Sequence, residues 1–287
     1  MLFLASAAFG LEGLVKRDLI RLGAADIRPQ NTGGVLFSGD AAMGFAANLW
    51  LRTADRVLLV AGRFEARSFE ALFNETAQIA WEDYFPRDAA FPVKAHCARS
   101  QLMSPSDCQS IVKKAVAERM KKAYALDWLP ETGAVFEIDV SVHEDVVTLG
   151  LNMSGPALSR RGYRTWNGEA PLRETLAAAM ALCSPWRPSM PLYDPCCGTG
   201  TLLIEAAYIA LDRAPGLTRA FDCEKWPFMP APDMQRLRSE ARMRFEAGLA
   251  RPLRVSGSDI DPEAIILAEK HIRQAGLAAR VEVSVKD

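Results

Sequence analysis

The sequence feature that most restricts the fold is a short apolar strand followed by a glycine turn and a helical run. Residues 192–207 read LYDPCCGTGTLLIEAA, with the strand ending at Asp194 and a helix expected from about Thr201. Gly198 and Gly200 permit a tight turn whose backbone can approach a ligand closely. In α/β proteins, ligands bind at the carboxyl ends of the strands, so we expect a binding site at this loop.

The residues around this turn indicate which ligand it binds. A dinucleotide site needs a third glycine, but Leu203 stands at that position, and no lysine follows the glycines as a phosphate-binding loop requires. Asp194 would also repel a polyphosphate. An acidic residue before a glycine turn suits a ligand with an ammonium group, such as the amino-acid end of S-adenosylmethionine. A plain strand-to-helix turn is the alternative.

A second acidic site follows the next predicted strand, in the segment 255–262, which reads VSGSDIDP. A carboxylate at Asp259 can accept hydrogen bonds from both hydroxyls of a ribose; the alternative is a second cap or turn residue. Asp261 is predicted to be the N-cap of the following helix, with Pro262 as its first residue. Asp287 follows the last predicted strand. If that strand lies parallel to the other two, Asp287 would approach the edge of the ligand's adenine.

The order of elements predicts two kinds of architecture in one chain. In the first half, the order of predicted strands and helices suggests a small α+β module of split βαβ type. In the second half, strands and helices alternate one by one, which is typical of a parallel sheet. Between about 211 and 250 we expect an irregular insertion. The predicted strands are 2–7, 35–37, 57–60, 92–98, 135–140, 146–151, 253–258 and 281–285, and the main helices are 10–22, 41–51, 68–80, 106–124, 171–183 and 262–274.

RNA binding would have to come from local basic clusters, because the net charge of the chain is only -1. Two clusters are candidates for phosphate contact, and both have plainer alternatives. The helix 106–124 could simply present a solvated face, and the arginines of 160–164 could fix a domain junction. The candidate residues are Lys113, Lys114, Lys121, Lys122, Arg160, Arg161 and Arg164.

The six cysteines include no Cys-x-x-Cys pair, and no targeting segment precedes them. Free thiols in a reducing cytosol are therefore expected. Cys196 and Cys197 suit packing in a tight turn better than a nucleophilic function. The three histidines are scattered, so we expect no metal site, and no apolar run is long enough to cross a bilayer.

Together these motifs resemble a known family, the THUMP-containing class I RNA methyltransferases, and most closely the bacterial 23S rRNA guanine-N2 methyltransferases. The resemblance spans nearly the whole chain. It includes the two acidic loops, the segment LSRRGYR at 158–164 with APLRETLA at 170–177, and the THUMP-like segments DCQSIVKK at 107–114 and LPETG at 129–133.

The resemblance implies a mixed α/β and α+β fold in three parts. These are a ferredoxin-like segment at 1–66, a THUMP RNA-binding domain at 67–155 and the N-terminal part of a Rossmann-like methyltransferase domain at 156–287. It also implies S-adenosyl-L-methionine as cofactor and RNA, most closely 23S rRNA, as partner. The implied cofactor-binding residues are Asp194, Pro195, Cys196, Gly198, Gly200, Asp259, Ile260 and Asp287.

One departure from the family affects the expected function. The family's catalytic motif, Asn or Asp before Pro-Pro and an aromatic residue, does not occur, because the sequence contains no Pro-Pro pair. We therefore expect a fragment of a longer protein, inactive alone, and name no catalytic residue. The leading hypothesis is an rRNA guanine-N2 methyltransferase; the alternatives are a tRNA methyltransferase, a non-catalytic RNA-binding protein and, less favoured, a nicotinamide-dependent oxidoreductase.

Overall fold

A computed structural model describes residues 1–164 and 172–286 of the chain. The first half contains seven strands and four helices. They are β1 (Leu2–Ala7), α1 (Glu12–Leu22), β2 (Ala25–Gln30), β3 (Gly34–Ser38), α2 (Ala41–Trp50), β4 (Ala54–Glu65), α3 (Phe69–Gln78), β5 (Val93–Ala98), α4 (Pro105–Tyr124), β6 (Ile138–His143) and β7 (Val146–Asn152).

The second half supplies three strands and four helices within the described residues. They are α5 (Glu174–Cys183), β8 (Leu192–Asp194), α6 (Thr201–Ala210), α7 (Ala231–Gly248), β9 (Val255–Asp259), α8 (Pro262–Gln274) and β10 (Val281–Val285). Across the described ranges, no helix combines the length and apolar character that a membrane crossing requires.

The strands of the first half form a single sheet in the order β2-β3-β1-β4-β7-β6-β5. Strand β4 joins its two parts, pairing with β1 on one side and with β7 on the other. The expected ferredoxin-like and THUMP segments are thus continuous through one sheet. The sequence predicted only 57–60 of this strand, because its ends carry charged residues such as Arg56 and Glu65, and it named no strand at β2, which is mostly polar.

Helix α4 is the clearest helix of the first half, and its start is set by a cap. The Ser104 hydroxyl accepts the amide N–H of Asp107 at 3.4 Å, and Pro105 is the first helical residue. The helix therefore begins one residue before the predicted bound at 106. One stripe of the helix enters the core through Val112 and Val116, which are fully buried.

The second half is built on a parallel three-stranded sheet in the order β10-β9-β8, as the alternation of elements predicted. Its register pairs Asp194 with Gly257 and Val285 with Asp259. The carboxyl ends of β8 and β9 therefore meet at one edge, which places the two acidic loops side by side.

The segment expected to be an irregular insertion contains the 18-residue helix α7, so that expectation was wrong. The helix starts after Pro230 and is polar except for a narrow stripe that includes Met234 and Ala241, which are buried. The helical period is hard to detect in the sequence because only a few apolar residues form this stripe. Those residues pack against parts of the molecule that are distant in the sequence.

This insertion packs on the core of the first half. The indole of Trp226 stacks on Phe136 with ring centroids 4.9 Å apart and donates to the carbonyl of Val135 at 3.0 Å. Phe221 meets Phe45 edge to face at 5.7 Å. Aromatic pairs of this kind add to the burial of apolar area, so the insertion connects the two halves of the molecule.

The insertion also contacts residues 154–160, which we call the linking segment because they connect the two halves. Arg219 donates to the carbonyl oxygens of Ser154, Pro156, Ala157 and Arg160 at 2.6 to 3.2 Å. Burial lowers the pKa of its guanidinium to about 10, which still leaves the side chain charged at neutral pH. The link is therefore fixed by charge-assisted hydrogen bonds.

We expect Trp226→Ala to lower the free energy of unfolding by about 3 to 5 kcal/mol, since a large aromatic side chain is removed from a packed site. Trp226 is 2% exposed, whereas Trp128 is 71% exposed. The matched control Trp128→Ala is expected to change stability by less than about 0.5 kcal/mol. Urea denaturation followed by circular dichroism measures both, and equal losses would contradict the packing function of the insertion.

Candidate functional site

The glycine loop lies between β8 and α6 and has the geometry that its two glycines predict. Gly198 has φ +51° and Gly200 has φ +80°, both in the left-handed region that favours glycine. The carboxylate of Asp194 accepts the amide N–H of Cys196 at 3.1 Å, which fixes the start of the turn. A Cβ atom built at Gly198 would meet nothing within 4 Å, so the space beside the turn is open.

The loop lies directly against the end of the neighbouring strand. The amide N–H of Cys197 donates to the carbonyl of Ser258 at 2.9 Å. A Cβ atom at Gly257 would lie 2.8 Å from the carbonyl oxygen of Asp194 and 2.8 Å from the side chain of Leu203. Only glycine fits this approach without a shift, so Gly257 allows the two acidic loops to come together.

Asp259 connects the two loops. One oxygen of its carboxylate accepts the amide N–H of Gly198 at 2.8 Å, and the other accepts the N–H of Asp261 at 3.0 Å. Asp261 in turn accepts the N–H of Glu263 at 2.8 Å and is the N-cap of α8, as predicted. Each oxygen of Asp259 keeps a further lone pair, so the turn function and ligand binding are compatible.

These elements enclose an open groove of about 650 Å³. The glycine loop and the start of α6 form one side, and the first turns of α8 and part of α5 form the other. Its lining residues include Leu172, Met180, Asp194, Cys196, Gly198, Thr201, Leu202, Asp261, Glu263 and Leu267.

The chemistry of the lining fits a cationic ligand. Asp194, Asp261 and Glu263 contribute three carboxylates to the groove, and its described lining contains no lysine or arginine. Such a surface repels phosphate groups and attracts an ammonium or sulfonium group. S-adenosylmethionine carries both cations, and the open space beside Gly198 accommodates a ligand against the turn.

Among the described residues, Pro195, Gly200, Asp259 and Ile260 do not line this groove themselves but adjoin or bond residues that do. Pro195 and Cys196 are exposed at the loop. Ile260 follows Asp259 directly and is 69% exposed, so its side chain is free to cover a ligand. Asp287, the predicted adenine contact, lies outside the described residues.

The adjacent cysteines differ in their surroundings. Burial, with the nearby charges of Asp194 and Asp259, raises the pKa of the Cys197 thiol to about 11. The thiol is therefore protonated at neutral pH and a poor nucleophile. This supports the interpretation of Cys197 as a small residue packed in the turn. In the described residues no group of three or more His, Cys, Asp or Glu side chains is arranged to hold a metal ion.

The expected RNA contact at Arg161 is corrected by the structure. Arg161 is only 2% exposed and pairs with the carboxylate of Glu205 at 3.5 Å, and it also donates to the carbonyls of Leu158 and Arg52. A side chain buried in this way presents no surface to RNA. These contacts agree with the alternative interpretation, in which the arginine fixes the domain junction.

Arg164 supports the candidate site from the same segment. Its guanidinium donates to the Thr201 hydroxyl at 2.8 Å and to the Leu172 carbonyl at 2.7 Å, and lies 3.5 Å from the Glu174 carboxylate. Thr201 is the first residue of α6 and lines the groove. Arg164 therefore ties the start of this helix to α5.

Two supporting residues were missed by the sequence analysis. Glu205 is fully buried in α6, and its signal was a lone carboxylate within an otherwise apolar run. His271 is buried on α8 and places its Nδ1 3.1 Å from the carbonyl of Thr199 in the glycine loop. No local sequence pattern indicates this second contact.

The predicted RNA-binding lysines of α4 have unequal surroundings. Lys113 lies 2.6 Å from Glu131, bonds the Phe91 carbonyl and sits 3.7 Å from the Phe91 ring centroid, so it is engaged within the protein. Lys114 lies 3.8 Å from Glu118. Lys121 and Lys122 occupy the last turn, where cations favour the helix dipole. RNA contact at these lysines, and at the exposed Arg160, stays a prediction.

Three protein families match successive parts of the chain. The RlmL ferredoxin-like domain matches residues 2–58, the THUMP domain matches 66–152, and the RMKL-like methyltransferase domain matches 161–287. The matches follow the predicted order of the three parts. The predicted boundaries at 66 and 155 remain predictions.

Curated relatives cover nearly all of the chain. The putative RNA methyltransferase YpsC of Bacillus subtilis is 39% identical over 99% of this chain and 74% of its own length. The ribosomal RNA large subunit methyltransferase K/L of Shewanella loihica is 36% identical over 99% of this chain. The chain spans only 40% of the length of that K/L protein.

Two solved structures are also similar. A protein of Listeria monocytogenes described as a predicted N6-adenine-specific DNA methylase has a TM-score of 0.94 and 43% identity over all of this chain and 74% of its own. The putative methyltransferase SMU.472, solved in complex with SAH, has a TM-score of 0.92 and 39% identity over 99% of this chain and 74% of its own. With the matches above, these findings show that the chain belongs to the family of S-adenosylmethionine-dependent RNA methyltransferases that combine a THUMP domain with an RlmL-like methyltransferase domain.

Proposed function

We propose that this protein transfers a methyl group from S-adenosylmethionine to the exocyclic N2 of a guanine in 23S rRNA. The observation that carries the proposal is the acidic groove at the glycine loop, where Asp194 and Asp259 lie at the ends of adjacent parallel strands. The choice of 23S rRNA as substrate rests on the K/L relatives, which are named as large subunit rRNA methyltransferases. A cytoplasmic location is part of the proposal, since all six cysteines are free thiols.

We assign the cofactor-binding functions residue by residue. Asp194, Pro195 and Cys196, with Gly198 and Gly200, would hold the methionine end at the carboxyl end of β8. When bound, S-adenosylmethionine supplies a methyl group on a sulfonium, which is already a good leaving group.

We assign binding of the adenosine part to the second acidic loop, which contains Asp259 and Ile260. Asp259 would accept hydrogen bonds from the ribose hydroxyls with the lone pairs that its backbone contacts leave unused. Ile260 would cover the adenine, and Asp287 would approach the adenine edge. Because Asp259 is already fixed by two amide groups, little ordering is needed when the ligand binds.

The guanine amine is a poor nucleophile because its lone pair is delocalised into the ring. Transfer to it depends on holding the two reactants in line, and this chain would contribute by fixing the methyl donor in the groove. The target base has to leave its stack to reach a groove bounded by the glycine loop and α8.

We expect Asp259→Ala to weaken the binding of S-adenosylhomocysteine at least tenfold, because hydrogen bonds to a charged carboxylate contribute roughly 1.5 to 3 kcal/mol each. Isothermal titration calorimetry measures the dissociation constant. Asp127→Asn, at an exposed aspartate far from the groove in sequence, is the control and should bind as the unmodified protein does. Equal affinities for all three proteins would contradict the assignment of Asp259.

We expect deletion of the gene to remove an N2-methylguanosine from 23S rRNA, and re-expression to restore it. Mass spectrometry of nucleosides from purified 23S rRNA, tRNA and genomic DNA measures the change. Loss of N2-methylguanosine from tRNA would overturn the rRNA assignment. Loss of N6-methyladenine from DNA would instead favour the activity named for the Listeria protein. If no methylated nucleoside changes, a non-catalytic RNA-binding function replaces the proposal.

A further inference from the structure

The seven-stranded sheet has one face in the core and one face toward solvent. Residues such as Phe3, Leu59 and Leu151 alternate into the core and are at most 2% exposed. The alternate residues of β1, β3, β4, β6 and β7 line a groove of about 360 Å³ on the other face. We call it the sheet groove, and its residues used below are Leu4, Asn31, Leu36, Arg63, Arg99, Ser141, Glu144 and Val146.

The floor of the sheet groove is apolar. Leu4 lies opposite Leu36 on the neighbouring strand, and Val146 contributes from β7. A floor of this kind provides contact for the flat face of an unstacked base. Hydroxyl and amide groups of Asn31 and Ser141 surround it and can hydrogen-bond to sugar or base edges.

The charges on the sheet groove favour an anion. Arg63 is exposed, and its guanidinium makes no hydrogen bond or ion pair with any residue in 1–164 or 172–286. Arg99 faces Glu144 at 3.8 Å, but their side chains are 78% and 64% exposed, so this pair is weak and exchangeable. The lining of the sheet groove therefore contains two arginines and one carboxylate.

The position of the sheet groove separates it from the cofactor groove. The linking segment contacts β4 at Asp55, where the amide of Leu158 donates to the Asp55 carbonyl at 2.7 Å. Arg63 lies eight residues further along the same strand, a span of roughly 26 Å. A ligand in the sheet groove would therefore leave the cofactor groove free.

From these observations we infer that the sheet groove binds an unpaired segment of the RNA substrate, with its phosphates on Arg63 and Arg99 and a base over the leucine floor. The inference rests on the proposed function for the identity of the RNA. It also differs from the sequence-based expectation, which placed phosphate contacts on α4 and on the arginines of 160–164. On α4, Lys113 and Lys114 face Glu131 and Glu118.

The experiment measures binding of a fluorescein-labelled unpaired RNA oligonucleotide by anisotropy over a range of salt concentrations. Arg63→Ala with Arg99→Ala is expected to weaken binding about tenfold at low salt. The slope of log K against log salt should become shallower by about 1.4, because each phosphate contact to single-stranded RNA contributes about 0.7. The matched control is Arg242→Ala, at an exposed arginine of α7 outside the sheet groove.

Three outcomes of the comparison between variants would overturn the inference. They are unchanged RNA binding in the double variant, an equal loss in the Arg242→Ala control, or a loss confined to Lys121→Ala with Lys122→Ala. Tighter binding of a matched RNA duplex than of the unpaired strand would also overturn it, since a duplex cannot place a base on the floor.

The result is independent of the methylation assay. S-adenosylhomocysteine affinity, measured by calorimetry, is expected to be unchanged in the double variant, which also shows that the variant is folded. If the groove binds RNA while gene deletion leaves every methylated nucleoside in place, the proposed function fails and the groove assignment stands. If deletion removes the methyl group but groove variants bind RNA normally, only the groove assignment fails.

Discussion

The buried ion pair between Arg161 and Glu205 is the interaction on which the arrangement of the two halves depends. Both side chains are at most 2% exposed, and Arg161 also donates to the carbonyl of Arg52, which lies between α2 and β4. Removing one partner of a buried pair leaves an uncompensated charge, at a cost of about 3 to 5 kcal/mol. The pair therefore fixes α6, the helix that follows the glycine loop, against the first half of the molecule.

The link between the halves is reinforced by packing as well as by charge. The insertion between α6 and β9 contributes Phe221 and Trp226 to the large core of the first half. Phe245 on α7 packs against both this core and the smaller core around α6 and α8. Sequence order assigns the insertion to the methyltransferase part, but its apolar contacts join it to the module before it.

The sequence predicted the conformation of the glycine loop well because nearby residues determine it. The glycine turn and the Asp261 cap each follow from a few consecutive residues with strong conformational preferences, and the alternation of strands and helices predicted the parallel sheet. The long strand β4 and helix α7 were underestimated because distant partners stabilise them. The burial of Arg161 was not predictable from charge alone, since its partner Glu205 lies 44 residues away in a run that reads as apolar.

The contact of Phe245 with both cores has a consequence for how the protein persists in the cell. A ligand that binds only the native state lowers the unfolded population by the factor 1 + [L]/Kd. Because the two cores are joined through α7, S-adenosylmethionine held at the glycine loop would shield the THUMP half from proteolysis as well. The abundance of the RNA-binding half would then follow the cellular supply of methyl donor.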